Sequence, residues 1–491
     1  MFLESLLSLL SPMNLLLIVA GVIWGMVFGA IPGLTATLAI VVLIPMTYGM
    51  GTVSGMTMLI AIYVGAISGG LISAILIGMP GTPSSITTAF DGYPLARRGL
   101  ARKALGAGIT ANFVGCFLGW ICLVALAPQI AKFALKFGSF EYVAIILFGL
   151  TAVISLSGDS LSKGFIMALF GLLVATIWTD PTYGMYRNTF GLDMLRGGVS
   201  SVPAMIGLFV VSQVFIEVEQ LSQKFLFPKP EKVGILLTLQ EWKSNAVNFL
   251  RSGVIGIMIG ILPGIGGALS NFIAYDQAKK ASKHPEEFGN GSLEGIIASE
   301  TANNASIGGA LIPMLAMGIP GDAATAVLLG GLQLQGLQPG PLLMTEHPDL
   351  VYGVFVALLL SSIVMFVLMM AGIRIFPTLL RIKKSYLLPL VLVIGMVGCY
   401  NLQYSINDVW VAIIFGIIGY FLKKFNYPTT PIVISLVLGK MLETHLRLGL
   451  LVSGGSILPL VTRPISLFFV VLTAASLAIS VLKMRKEKAR G

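Results

Sequence analysis

Residues 299–306 read SETANNAS, which places Glu300, Asn303, Asn304 and Ser306 close together. Spacings of three and four put the carboxylate and both amides on one helix face. A carboxylate among amide and hydroxyl oxygens suits two tasks. It can help ligate a hard cation such as Na⁺, or it can take up and release a proton. The competing readings are an interfacial position or an ion pair with a buried base. Asp322 follows Pro320-Gly321 and stands where a helix N-cap carboxylate belongs. Capping is its first reading, and a share in holding a cation its second.

A different chemistry is written in Pro32-Gly33, Pro80-Gly81, Pro263-Gly264 and Pro320-Gly321, all set in apolar stretches. Proline lacks an N–H and clashes with the preceding turn, while glycine tolerates non-helical angles. Each dipeptide therefore interrupts a helix and frees main-chain polar groups, which lipid cannot satisfy. The N-terminus of the resuming helix offers free N–H groups and partial positive charge, a seat for a carboxylate. Small and hydroxyl residues follow the breaks: Thr35, then Thr82, Ser84 and Ser85, then Gly266 and Gly267. These residues and the four dipeptides form the expected substrate-binding set. Any single break also reads as a packing kink between close helices. Four of them with polar flanks favour a shared site near the membrane midplane.

The elements that hold these residues are membrane helices. The chain has 491 residues, 56% hydrophobic and 11% charged, against about 25% charged in a soluble domain. Apolar runs at Val351–Ile373, Leu387–Val397, Val409–Phe421 and Ile465–Leu482 point to spans. The alternation of a membrane barrel is absent. The fold class expected is an all-α integral membrane protein. Enzyme classes find no support: HExxH, GxSxG and GxxxxGK[ST] motifs are missing, and Cys116, Cys122 and Cys399 are scattered through apolar sequence. No tightly bound metal or other cofactor is expected. The net charge of +10 comes from loop and C-terminal Lys and Arg, which set membrane orientation and do not imply nucleic acid.

The chain also repeats itself. GMVFGAIPGLTATLA (25–39) matches GIMIGILPGIGGALS (256–270), and AISGGLISAILIGMPGTPSS (66–85) matches SIGGALIPMLAMGIPGDAAT (306–325). Loop charge suggests that the repeats are inverted. The first leaves its second break into DGYPLARRGLARK, with four basic residues; the second leaves into GPLLMTEHPDL, with none. The expected trace has the N-terminus outside and the C-terminus cytoplasmic. Residues 1–13 form a retained amphipathic arm, 14–218 the first repeat, 219–252 a cytoplasmic linker and arm helix, 253–482 the second repeat, and 483–491 a basic tail. A moving module would hold the breaks against a scaffold drawn from spans in 104–217 and 351–482. The first-repeat counterpart of SETANNAS is the apolar LIAIYVGA (59–66). Glu300 and its neighbours thus break the symmetry of the duplication, and folding alone does not require them.

GAIPGLTATLAIVVLIPMTYGM, GGLISAILIGMPGTPSSITTAFDGYPLARRG and ETANNASIGGALIPMLAMGIPGDAATAVLLGGLQLQGLQPGP together resemble the large membrane subunit of the tripartite tricarboxylate transporter family. The likeness spans essentially the whole chain, with Asp322 standing where the family pattern carries a small residue. The resemblance implies a bacterial inner-membrane importer of a di- or tricarboxylate such as citrate, driven by Na⁺ or H⁺ without ATP. It implies a small membrane subunit and an extracytoplasmic solute-binding protein as partners. More remotely it implies an elevator-type fold with re-entrant hairpins, often dimeric. The rival readings are a stand-alone carboxylate permease or exporter, a channel, and a membrane-embedded protein that does not transport.

Overall fold

The computed structural model describes residues 1–156, 160–179, 185–219, 234–264 and 266–488. Residues 220–233 of the expected linker and the end of the basic tail lie outside the described residues. Among the described residues the regular elements are helices apart from a two-stranded ribbon, β1 (Trp178–Thr179) paired antiparallel with β2 (Tyr186–Arg187). The first half contains α1 (Phe2–Leu9), α2 (Pro12–Ala30), α3 (Ala36–Thr47), α4 (Thr52–Ile77), α5 (Ile86–Leu95), α6 (Ala101–Ala134), α7 (Ser139–Leu156), α8 (Leu161–Ala175) and α9 (Ser201–Val218). The second contains α10 (Leu239–Ile261), α11 (Gly266–Ala281), α12 (Leu293–Met317), α13 (Ala323–Leu334), α14 (Pro348–Gly372), α15 (Lys384–Gln403), α16 (Ile406–Lys424), α17 (Thr430–Val452) and α18 (Pro464–Lys488). Among the described residues, eight helices are long and apolar enough to cross a membrane. The protein is an all-α, multi-pass membrane protein.

Local signals set the helix ends. Pro12 opens α2 at a position where its missing N–H costs nothing. Thr238 and Glu241 form a capping box at the start of α10. α4 and α12 both stop at a left-handed glycine, Gly78 (φ 70°) and Gly318 (φ 73°). After each stop the chain turns back along its own helix before the next helix begins. In the first half the Gly81 N–H donates to the Gly70 carbonyl (3.3 Å), seven residues before the end of α4. In the second, Gly321 sits against Ala310, the matching position. The break at Pro32-Gly33 reverses the chain outright. The Trp24 indole N–H of α2 donates to the Ala39 carbonyl of α3 (3.1 Å), a contact that a straight continuation forbids.

Glycine contacts give the relative directions of the helices. Along α2, Gly25 and Gly29 rest on the backbone of α4 at Ile62 and Ala66; along α10, Gly256 and Gly260 rest on α12 at Ala302 and Ser306. These are equivalent positions of the two repeats, so the pairs α2–α4 and α10–α12 are the same parallel contact made twice. Gly115 and Gly119 of α6 meet Thr301 and Ala305, so α6 runs parallel to α12. Against α4 the order reverses: Asn112 reaches Ser68, while Gly108 meets Leu71. α4 and α12, counterparts in sequence, therefore run antiparallel. A similar exchange links the later helices, with α8 packed on α17 through Gly171 and α9 on α16 through Gly207 and Gly419.

Candidate functional site

The four breaks converge. A cavity of about 490 Å³ is lined by Thr35 at the head of α3, by Thr82 and Ser84 before α5, by Gly264, Gly266 and Gly267 at the head of α11, and by Asp322 and Ala323 at the head of α13. That volume falls within the roughly 300–1,000 Å³ of small-molecule sites. Main-chain contacts knit the breaks together. The Gly264 N–H donates to the Gly321 carbonyl (2.8 Å). The Asn271 amide donates to the Ser84 carbonyl, joining the two halves across the cavity. Gly33 (φ 93°) and Gly264 (φ 79°) take up a backbone that L side chains disfavour. Gly81 and Gly321 press against main-chain oxygens of Gly29 and Gly260, so neither tolerates a side chain without displacement. Pro32, Pro80, Pro263 and Pro320 shape the turns; they do not line the cavity.

Side-chain caps occupy some of the freed N–H groups. Thr35 Oγ1 accepts from Leu38 N (3.2 Å), and Asp322 Oδ1 from Thr325 N (2.7 Å). Thr82 Oγ1 lies 3.1 Å from Ser84 Oγ and 3.2 Å from Ser85 Oγ. One cation faces the same space. Lys423, at the end of α16, lines the cavity and donates to Gln213 Oε1 (2.9 Å). Gln213 in turn donates to Glu217 (3.0 Å), which lies over Gly33 and pairs with Lys384 (2.5 Å). Glu217 is thus matched by Lys384, while Lys423 makes no ion pair with a described residue.

The SETANNAS residues divide between two places. Glu300 and Asn304 are fully buried behind the cavity wall. Thr88 of α5 donates to Glu300 Oε1 (2.5 Å). The Asn112 amide nitrogen, turned towards Glu300 as its surroundings require, donates to Oε2 (2.7 Å). Asn304 contacts Asn112 at 2.6 Å, and Ser68 donates to Asn304 Oδ1 (2.7 Å). Helices α4, α5, α6 and α12 meet in this cluster, and among the described residues no Lys, Arg or His pairs with Glu300. Ser306 and Asn303 reach Gly267 of the cavity wall, with Asn303 lying between that wall and Glu300. Asn303 is fully buried, and neither atom of its amide has a partner among the described residues. Asn271 Oδ1 is likewise without one. Asp322 stands apart from Glu300: it caps α13 and accepts from Tyr63 Oη of α4 (2.5 Å).

The model of the tripartite tricarboxylate transporter TctA family matches residues 15–434, which include every residue named in the cavity and the cluster. The chain belongs to this family. TctA-family membership makes it a subunit of a tricarboxylate transporter. A relative from Agrobacterium vitis, described as an uncharacterized 52.8 kDa protein in the TAR-I ttuC' 3' region, is 35% identical over 480 residues, 98% of this chain and 95% of its own. An uncharacterized protein in the TAR-II ttuC' 3' region of the same organism is 35% identical over 211 residues, 43% of this chain and 87% of its own. No solved structure matches.

Several site residues of this TctA-family chain escape a reading by sequence. Lys423 and Lys424 read as loop cations, yet Lys423 turns into the cavity. Asn112, and Thr88 among the hydroxyls that follow Pro80-Gly81, lie about two hundred residues from Glu300, and the sequence does not announce their contact with it. Asp91 is buried and accepts three N–H bonds at the start of α12, from Gly289 (2.8 Å), Gly291 (2.9 Å) and Ser292 (2.9 Å). It anchors the helix that carries Glu300.

Proposed function

We propose that this chain is the permease subunit of a secondary transporter that imports a di- or tricarboxylate by cation symport. The supporting observation is the single cavity walled by four interrupted helices. Helix N-termini at Thr35, Thr82–Ser84, Gly266 and Ala323 face one space together with Lys423, and that combination favours an anion. The carboxylate sits there, with its charge met by Lys423 and by N–H and hydroxyl groups.

Coupling is assigned to the wall behind the cavity. A buried carboxylate surrounded by neutral donors is costly unless it holds a proton or lies near a cation. Glu300 serves as that group, with either H⁺ or Na⁺ as the companion. The unpartnered oxygens of Asn303 and Asn271, beside Ser84 and Gly267, offer a place for Na⁺ next to the substrate. Asp322 is an N-cap in this reading, close enough to the cavity to reject poorly placed anions.

The antiparallel relation of α4 and α12 supports two inverted repeats, and these support an elevator-type cycle. In it the break-bearing helices slide as one body against the α8–α17 and α9–α16 pairs. α6, read from sequence as scaffold, lies along α12 and travels with it. The assembly works in a bacterial inner membrane, N-terminus outside and C-terminus cytoplasmic, with a small membrane subunit and an extracytoplasmic solute-binding protein, and pairs as a homodimer. Lys103 pairs with Glu241 (2.6 Å), which brings two basic regions, around 96–103 and 224–251, to one face, as that orientation needs.

Reconstitution with both partner subunits tests the reading. Gradient-driven uptake of radiolabelled citrate, malate or succinate is expected. Lys423→Gln should raise the carboxylate KM by roughly tenfold, the equivalent of about 1.4 kcal/mol. An unchanged KM in a folded variant removes the carboxylate from this cavity.

A further inference from the structure

A second cavity, of about 500 Å³, lies away from the breaks. It is bounded by the turn 336–341, by Lys440 and His445 of α17, and by Trp178 of β1. The same two helices reach both cavities. Ala323 and Thr430 line the first, while Gln333 and Lys440, near the other ends of α13 and further along α17, line the second. Ten residues of helix advance about 15 Å. Between the two, residues 324–332 of α13 and 431–439 of α17 are buried, so the seam joining the cavities is closed.

The second cavity is furnished for an anion. Lys440 makes no ion pair with a described residue, and its ammonium lies 5.5 Å from the centre of the Trp178 ring. Trp178 Nε1 and His445 Nδ1 are both buried without a hydrogen-bond partner among the described residues. The His445 ring is held flat against Tyr142, with centroids 4.3 Å apart and planes 12° from parallel. The neighbouring acid, Glu443, is engaged by Arg187 and by Arg447 (2.8 Å), which leaves Lys440 for a ligand. A buried indole N–H has one use for its donor, and an orphaned one asks for an acceptor. With a free ammonium beside it, the acceptor that fits is an oxyanion. The volume suits a molecule with several carboxylates.

We propose that this cavity is a second carboxylate-binding station, held by Lys440, Trp178 and His445 about 15 Å along the α13–α17 seam from the central cavity. The choice of a carboxylate over another oxyanion rests on the transport reading above; the donor set does not. On the proposed orientation the station opens towards the extracytoplasmic side, where cargo arrives. It would hold the carboxylate before the central cavity becomes available.

Trp178 makes the station readable without transport. The full chain, purified in detergent free of anionic lipid, is titrated with citrate, tricarballylate, malate and succinate at constant ionic strength. The emission of Trp178 is taken as the difference between wild type and Trp178→Phe. At least one of these acids should give a saturable change. Lys440→Gln should weaken it roughly tenfold or more, Lys440→Arg should retain it, and Lys423→Gln should leave it intact. The proposal is overturned if none of the four acids changes the signal. It is also overturned if Lys423→Gln abolishes the response as Lys440→Gln does, or if phosphatidylglycerol micelles elicit the change and the acids do not. A saturating Trp178 response in protein that carries no carboxylate in vesicles leaves the station standing and removes the transport reading instead.

Discussion

Helices α4 and α12 occupy matching places in the two halves and present opposite interiors. Both rest on a neighbouring helix through glycines at the same spacing, both end at a left-handed glycine, and both hand the chain to a backward-running turn. Yet where α12 carries Glu300 and Asn304, α4 carries Ile60 and Val64, and all four are buried without exposed surface. The shared features are those of backbone approach and chain reversal, and they build the fold. The features not shared are polar and cost desolvation. A duplicated scaffold thus carries a buried carboxylate and amide on one of its two matching helices only, with partners supplied by both halves.

The largest effect should come from damaging what the two helices share. Gly29 and Gly260 each touch a main-chain carbonyl of the partner helix, at Ala66 and Ser306. Gly29→Val or Gly260→Val forces the backbones apart, at a cost of about 3 kcal/mol or more. Both variants should lose folded yield and melt well below wild type in detergent, by similar margins. A large loss for one and none for the other would mean that the contact is not equivalent in the two halves.

Next comes Asp91, a carboxylate found in the first half alone; its counterpart is Gly331. One oxygen gathers three N–H groups at the head of α12. Asp91→Ala strands those donors in a buried turn and should cost roughly 3 kcal/mol. Hydrogen exchange at residues 289–296 should rise in step with the fall in melting temperature. Stability unchanged in Asp91→Ala would show that water replaces the carboxylate there.

Glu300 sharpens the comparison, because removing it should do the reverse. Glu300→Gln keeps the volume and an acceptor for Thr88 while discarding the charge, and its amide nitrogen can be satisfied where Asn112 turns its own oxygen towards it. The double variant Glu300→Ile, Asn304→Val makes α12 like α4. Glu300→Gln should fold normally, lose accumulation against a gradient, and keep downhill exchange of carboxylate. Uptake in vesicles with imposed Na⁺ or pH gradients measures this. Accumulation that keeps its cation dependence in Glu300→Gln would take the coupling role from this residue.

These effects also mark what a sequence discloses. The breaks, the glycine spacing and the asymmetry of SETANNAS are local patterns, and local patterns survive in one dimension. The structure places Thr35, Thr82, Ser84, Gly264, Gly266 and Gly267 around one cavity, while Gly33, Gly81, Ser85 and Gly321 do not line it. The partners of Glu300 are another matter. Thr88 and Asn112 look like ordinary polar residues of helical segments, and only the folding of α5 and α6 onto α12 gives them a role. Lys423 is hidden for a different reason: a lysine ending an apolar helix fits snorkelling to the interface equally well. Grouping Glu300, Asn303 and Asn304 on one face was sound helix geometry. Asn303 also reaches the cavity wall at Gly267, because residues three and four apart span a stripe of finite width.

Asp322 gives the smallest effect and the finest test. It closes a capping box with Thr325 at the head of α13, and its other oxygen accepts from Tyr63. The equivalent first-half position is Thr82, whose hydroxyl makes no cap bond to the main chain, lies near Ser84 and Ser85, and lines the cavity. If Asp322 is a cap, Asp322→Asn and Asp322→Thr should each stay within about 0.5 kcal/mol of wild type, while Asp322→Ala should lose about 1 kcal/mol. Thermal melting in detergent separates these outcomes. Transport should differ along another axis. Replacing an anion at the cavity edge by a neutral cap lowers repulsion for a carboxylate, so Asp322→Thr should bind the most highly charged acids more tightly than wild type. Tighter binding of citrate relative to succinate in Asp322→Thr would identify this one position as the place where the two halves differ in order to choose a cargo. Equal affinities would leave it with the cap alone.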